Sequence, residues 1–141
     1  MNQSKDIVVA FLKSLWEERD LSAIDRWVAT DCVLHTPMTV NYGRMSLQSI
    51  VSKWFEAFPD LIFFWENCVA ESNTVVCRWH ARGTHLGSFF ETKPSNEEIS
   101  FMGINTFLLR EEKIQEYWSL IDIHSILKQV GVYQSLSEVI D

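Results

Sequence analysis

The hydrophobic period of this chain changes once, at Pro59, and that change constrains the fold more than any other feature of the sequence. Before Pro59 the apolar residues recur at helical spacing. Ile7, Val8, Phe11, Leu12 and Leu15 make one face, with Ser4 as the expected cap and Asp6 in the favourable first turn. Leu21, Ile24, Trp27 and Val28 make a second, shorter helix. Leu47, Ile50, Val51, Trp54, Phe55 and Phe58 make a third, opened by Ser46 and stopped by Pro59, because the residue before a proline disfavours the α conformation. Between these helices Cys32 to Thr36 is strand-like, and residues 41–44 are turn-rich.

After Pro59 the residues favour strands. Residues 61–69 hold Ile62, Phe63, Phe64 and Trp65; 74–90 is a long strand in which Gly83 and Gly87 permit a bend. Strands over 99–109 and 113–121 follow, joined by a tight connection at Glu111 and Glu112. Residues 123–130 read as a closing helix with Gly131 as its stop, and 135–140 as one more turn or a tail. Helices first and four antiparallel strands second predict an α+β fold, with helices on one face of a curved sheet. At 141 residues, 1–141 reads as a single domain.

Nineteen acidic residues against twelve basic ones give a formal charge of −7, which argues against a nucleic-acid surface and against attraction to anionic lipids. No segment is apolar for long enough to span a membrane. Cys32, Cys68 and Cys77 form no Cys-x-x-Cys pair, and an odd count is a poor disulfide framework. With no signal-like leader, the expectation is a reducing cytoplasm. No zinc spacing, phosphate-binding glycine loop or nucleophile elbow occurs, so neither metal nor cofactor is expected.

The residue that bears most on chemistry is Asp122, which ends the aromatic run Tyr117-Trp118-Ser119-Leu120-Ile121 and precedes the closing helix. It has two available roles: N-cap of that helix, or a desolvated base in a dry pocket. Regular alternation groups Trp118 and Leu120 with Asp122 on one face, and Tyr117, Ser119 and Ile121 on the other. The first set is expected to face the pocket. His35, before Thr36 and Pro37, is a candidate donor to a substrate oxygen. In the strand over 74–90, Cys77, Trp79, Ala81, Gly83 and His85 form the apolar set, which favours His85 over His80. Trp54, Trp79, Phe101, Asn105 and Trp118 are the candidate substrate-binding residues. For most other aromatics, core packing is expected.

The order of several strings is similar to a known family. Phe58-Pro59-Asp60-Leu61, Arg78-Trp79, Gly83-Thr84-His85-Leu86-Gly87, Phe101-Met102-Gly103, Lys113-Ile114-Gln115-Glu116-Tyr117-Trp118, Asp122 and Gln129-Val130-Gly131 together resemble the SnoaL-like polyketide cyclases, or ester cyclases, of the NTF2-like superfamily. The resemblance runs from about residue 5 to 131. It implies a cone: helices packed on a strongly bent antiparallel sheet around an apolar pocket for a small ligand. It also implies homodimers or larger homo-oligomers. The family's characterised cyclases close a ring by an intramolecular aldol step without metal or cofactor, using an aspartate that corresponds to Asp122. Where they carry a histidine on the preceding strand, this chain has Asn105 and Phe107. The readings carried forward are a cofactor-independent cyclase, a non-catalytic binding or interaction module, and an isomerase or epoxide hydrolase on the same scaffold.

Overall fold

The computed structural model describes residues 2–89 and 91–132; the last expected turn, over 135–140, lies outside them. Helix α1, Gln3–Leu12, begins two residues earlier than expected. Asn2 is its cap, accepting the Lys5 amide, while Ser4 is buried inside the helix. The helix runs on into a π-helical turn, Lys13–Glu17, that buries Leu15 and Trp16. Helix α2, Ser22–Trp27, leads into strand β1, Val28–His35. The turn-rich segment that follows holds a short strand, β2, Val40–Tyr42. Helix α3, Arg44–Ala57, starts at Gly43, whose φ of 85° suits glycine, rather than at Ser46.

Strands β3, Ile62–Glu71, β4, Thr74–Thr84, β5, Glu98–Arg110, and β6, Lys113–Ile121, follow the change of period. Helix α4, Ile123–Gln129, closes the fold, and Gly131 stands beyond it at φ 91°. All six strands form one sheet in the order β2-β1-β6-β5-β4-β3. Its neighbours are antiparallel except β1 and β6, which run parallel. This mixed pairing goes beyond the four-stranded antiparallel sheet expected. Bulges in β3, at Trp65 to Asn67, and in β6, between Ile114 and Glu116, add bend and twist. Helices α1 to α3 lie against β1, β3 and β4, and the core is the layer between, centred on Phe11, Leu15, Val51, Phe58, Phe107 and Ile114. Among the described residues no helix is long and apolar enough to cross a membrane.

Two further expectations change. Strand β4 stops at Thr84 instead of reaching Phe90. The Leu86 and Gly87 amides leave the ladder and donate to the Ala57 carbonyl, satisfying the end of α3. And Cys68 and Cys77 form a disulfide: the β3–β4 register sets them directly opposite one another. Counting cysteines could not find a pair that only the hairpin register creates. The cysteine argument for a reducing compartment falls with it; Cys32 is free and buried.

Gly87 is where loop and helix approach most closely. A Cβ there would stand 2.0 Å from the Glu56 carbonyl oxygen, a backbone atom that cannot swing aside. Gly87→Ala is therefore expected to destabilise the fold by about 1–3 kcal/mol, read as a lowered urea midpoint with an unchanged slope.

Candidate functional site

The inner face of the sheet and the helices above it enclose a narrow cavity of about 40 Å³. Its wall is mostly aromatic and aliphatic: Trp16 from the π turn, Leu47, Ile50, Val51 and Trp54 from α3, Phe63 and Trp65 from β3, Trp79 from β4, and Phe101 from β5. Through Thr36, Ile50, Trp54 and Ile121 it meets a wider mouth of about 580 Å³, which Lys53, Glu56, Phe89, Glu91 and Ile123 also line. An apolar throat below a broader, partly charged mouth is the cone implied by the sequence strings.

The β4 set is buried as expected: Cys77, Trp79, Ala81 and His85 all point inward. Trp79 lies flat against Gly103, where a Cβ would meet its ring at 2.3 Å. Trp54 stacks on Phe101, with ring centroids 5.6 Å apart, and both line the throat. Asn105, 2% exposed, lines it too.

Strand β6 differs. Tyr117, Ser119 and Ile121 line the throat, while Trp118 and Leu120 face outward. Trp118 therefore does not stand at the pocket; it stacks on His35 outside the sheet, with centroids 5.0 Å apart and planes 4° from parallel. His35 goes with it. Leu34 and Thr36, its neighbours in sequence, take the cavity positions, and His35 Nε2 binds Glu116 Oε2 at 2.6 Å on the outer side. The cause is the bulge in β6: Leu109 pairs with Ile114 and Leu108 with Glu116, leaving Gln115 unopposed. One extra residue reverses the alternation beyond it.

The reversal carries a tyrosine and a serine into the throat. Ser119 Oγ donates to Asn105 Oδ1 at 2.9 Å, and Asn105 Nδ2 donates to the Tyr117 hydroxyl at 3.2 Å. Each group polarises the next, and the Tyr117 O–H has no acceptor among the described residues. Burial pushes its pKa far above the ordinary tyrosine value, so this group is a donor and not a phenolate. Alternation groups these residues as the structure does; the aromatic Trp118 beside an acid makes the other set look like the pocket face. The signal was Asn105, the polar residue of an otherwise apolar inward row in β5.

Asp122 is the N-cap of α4. Its Oδ1 accepts the Ser125 amide at 3.0 Å, and the residue is exposed, between Ile121 and Ile123 of the mouth. His85 is fully buried behind Phe58 and Phe89, 5.7 and 6.4 Å from their rings, and does not line the cavity. The Ser95 amide donates to its Nδ1 at 3.1 Å, which puts the proton of the neutral ring on Nε2. His85 thereby pins the loop between β4 and β5. His80 faces outward onto Glu66, at 2.5 Å. Among the described residues no group of three His, Cys, Asp or Glu side chains could hold a metal.

The comparisons with known proteins agree with this geometry. The profile of the SnoaL-like polyketide cyclases matches residues 6–130. The chain belongs to the SnoaL-like polyketide cyclase family. A candidate SnoaL-like polyketide cyclase from Jannaschia sp. CCS1 superposes with a TM-score of 0.87 at 18% identity, over 94% of either chain. IdmH, a candidate polyketide cyclase from Streptomyces antibioticus, superposes at 0.78 with 26% identity, over 93% of this chain and 100% of its own. AclR, described as a candidate hydroxylase from Streptomyces galilaeus, gives 0.83 at 22%, over 97% and 90%. These likenesses establish the NTF2-like fold. No curated protein matches the chain. Within this SnoaL-like frame the sequence-expected residues divide. Trp54, Trp79, Phe101 and Asn105 meet at the throat, Asp122 caps the helix beside the mouth, and His35, His85 and Trp118 lie elsewhere.

Burial disfavours the charged form of His85 and lowers its pKa, an effect that the Gly87 backbone partly offsets. The unfolded chain then binds a proton that the folded chain resists. The stability held by neutral His85 is full above the unfolded value of about 6.5 and is lost as pH falls below it. The melting temperature of the wild type should fall between pH 7.5 and 5.5. His85→Gln should lower it at pH 7.5 and flatten that slope; an equally steep slope in the variant would refute the assignment.

Proposed function

We propose that this chain catalyses cyclase-type acid/base chemistry, without a cofactor, on a small carbonyl compound that lies in the mouth and reaches one oxygen into the throat. The observation that carries the reading is the donor chain Ser119–Asn105–Tyr117, which ends in a buried, protonated hydroxyl without an acceptor among the described residues. A carbonyl oxygen beside Tyr117 would accept that proton in a hydrogen bond, and the bond would strengthen as the oxygen becomes an enolate. Asp122, between two isoleucines of the mouth, is the proposed acid/base. Its carboxylate takes the proton α to the carbonyl, and the enolate carbon attacks a second carbonyl of the same molecule. The new alkoxide recovers the proton from Asp122. The aromatic wall holds the two reacting ends together and excludes water.

A second reading has its own support: no charged residue lines the throat, and Asp122 is engaged as a cap. On that reading the chain binds its ligand without turning it over. Asp122→Asn separates the two, because asparagine caps as well as aspartate but cannot accept the proton. With a linear poly-β-ketone as substrate, the enzyme reading expects turnover to drop by about 10²-fold or more at an unchanged melting temperature. Tyr117→Phe should reduce kcat by about 10²-fold. Full activity in Asp122→Asn would leave the aspartate as a cap alone.

The outer face of the sheet exposes Met102, Ile104, Trp118 and Leu120 in adjacent rows. We propose that a second copy of the chain covers it, since an apolar patch of this kind marks an association surface. Sedimentation should give a dimer or larger assembly for the wild type and shift toward monomer for Leu120→Lys; a monomeric wild type would refute it.

A further inference from the structure

The Cys68–Cys77 bridge joins two residues that differ in burial. Cys77 is fully buried and pairs in register with Asn105 of the polar chain. Cys68 is half-buried and borders a second cavity of about 410 Å³, a groove that Val9, Leu12, Lys13 and Glu17 also line. Phe63 and Trp65 of β3 are common to that groove and to the throat. Strand β3 is the edge of the sheet, so β4 is its one strand neighbour among the described residues. Their ladder is interrupted where Glu66 has no opposite residue, and the bridge ties the two strands just past that bulge.

A bulge disrupts the ladder locally, and an edge strand held from one side opens more readily than a central one. For the stretch from Trp65 to Cys68 the covalent tie supplies what the interrupted pairing does not. No part of Cys77 reaches solvent, so a reagent cannot meet it without local unfolding. A thiol that opens the bridge in the folded chain must therefore come from the groove and attack at Cys68.

We infer that Cys68 is a thiol–disulfide exchange site, entered from the groove by small thiols, and that opening it loosens the β3 wall of the throat. The incoming thiolate bonds to Cys68 Sγ and the protein S–S bond breaks. Cys77 leaves with the electron pair and takes up a proton, because a buried site disfavours the thiolate. A second thiolate attacks the outer sulfur of the mixed disulfide and releases Cys68 as a thiol. Two small thiols are thus oxidised to one disulfide while the bridge is reduced to two cysteines, and the oxidised small molecule reverses the sequence. The loosened stretch carries Trp65, so exchange reaches the throat through its wall and leaves Tyr117 and Asp122 untouched. No step depends on turnover of a substrate, so this inference and the proposed function can fail separately.

The test uses the intact chain prepared without reductant. Denatured and titrated with dithiodipyridine, it should show one free thiol, that of Cys32, and three after reduction; three from the outset would overturn the site. In a Cys32→Ser background, Cys77→Ser leaves Cys68 free and Cys68→Ser leaves Cys77 free. In the folded chain Cys68 should react with the same reagent about tenfold faster than Cys77, or more. Equal rates, or a faster Cys77, would overturn entry from the groove. Hydrogen exchange of the wild type before and after dithiothreitol covers the case in which those variants do not fold. Reduction should speed exchange over residues 64–69 by about tenfold or more, while α3 and β6 keep their rates. Unchanged exchange in β3, an equal rise throughout the chain, or a bridge that dithiothreitol leaves intact in the folded protein would each refute the inference.

Discussion

The unopposed Gln115 of β6 decides what this protein can bind. Leu109 faces Ile114 and Leu108 faces Glu116, so a single residue is left over. Without it, Ile114 inward would mean Glu116 and Trp118 inward. The cavity would then hold a carboxylate and an indole in place of Tyr117 and Ser119. With it, the side chains able to donate to a ligand oxygen stand inside, and the His35–Glu116 pair is left outside beside Trp118. Because strand side chains alternate with period two, the shift propagates to the end of the strand and sets the environment of every residue up to Ile121.

The rest of the site is built on the regular part of the sheet. Strand β4 alternates without interruption, and its ladder with β5 keeps register from Thr74 to Thr84. That regularity puts Trp79 over Gly103, where only a residue without Cβ leaves room for the ring. The row below it sets Cys77 opposite Asn105, and Asn105 opposite Ser119. The polar chain is thus a product of register in two ladders, and Tyr117 joins it from the next inward position of β6, between Ser119 and the bulge. Above the sheet, Trp54 of α3 stacks on Phe101 and separates throat from mouth.

This division explains how much could be read from the sequence. The change of period at Pro59 gave the helices, the order of strands and the α+β class. The strings from Phe58 to Gly131 pointed to the family. The inward face of β4 was legible because its apolar and polar residues alternate cleanly. Strand β6 was not, because Tyr117, Trp118, Leu120 and Ile121 are all apolar enough to go inside, and composition cannot locate a bulge. The same limit applies to the Cys68–Cys77 disulfide, which exists only once β3 and β4 are in register. The loop after Thr84 escaped notice because its amides are drawn to the end of α3, a partner distant in sequence. Asp122 could be placed as a cap by its position before a helical pattern. Its neighbours alone do not distinguish a cap from a base.

The account stands on Tyr117 and Ser119 facing the cavity while Trp118 and His35 face away. A crystal structure of the chain tests this most directly. The account predicts the Tyr117 hydroxyl and Ser119 Oγ bonded to Asn105 inside the cavity, with Trp118 stacked on His35 outside the sheet. Trp118 lining the cavity, with Tyr117 on the outer face, would contradict it.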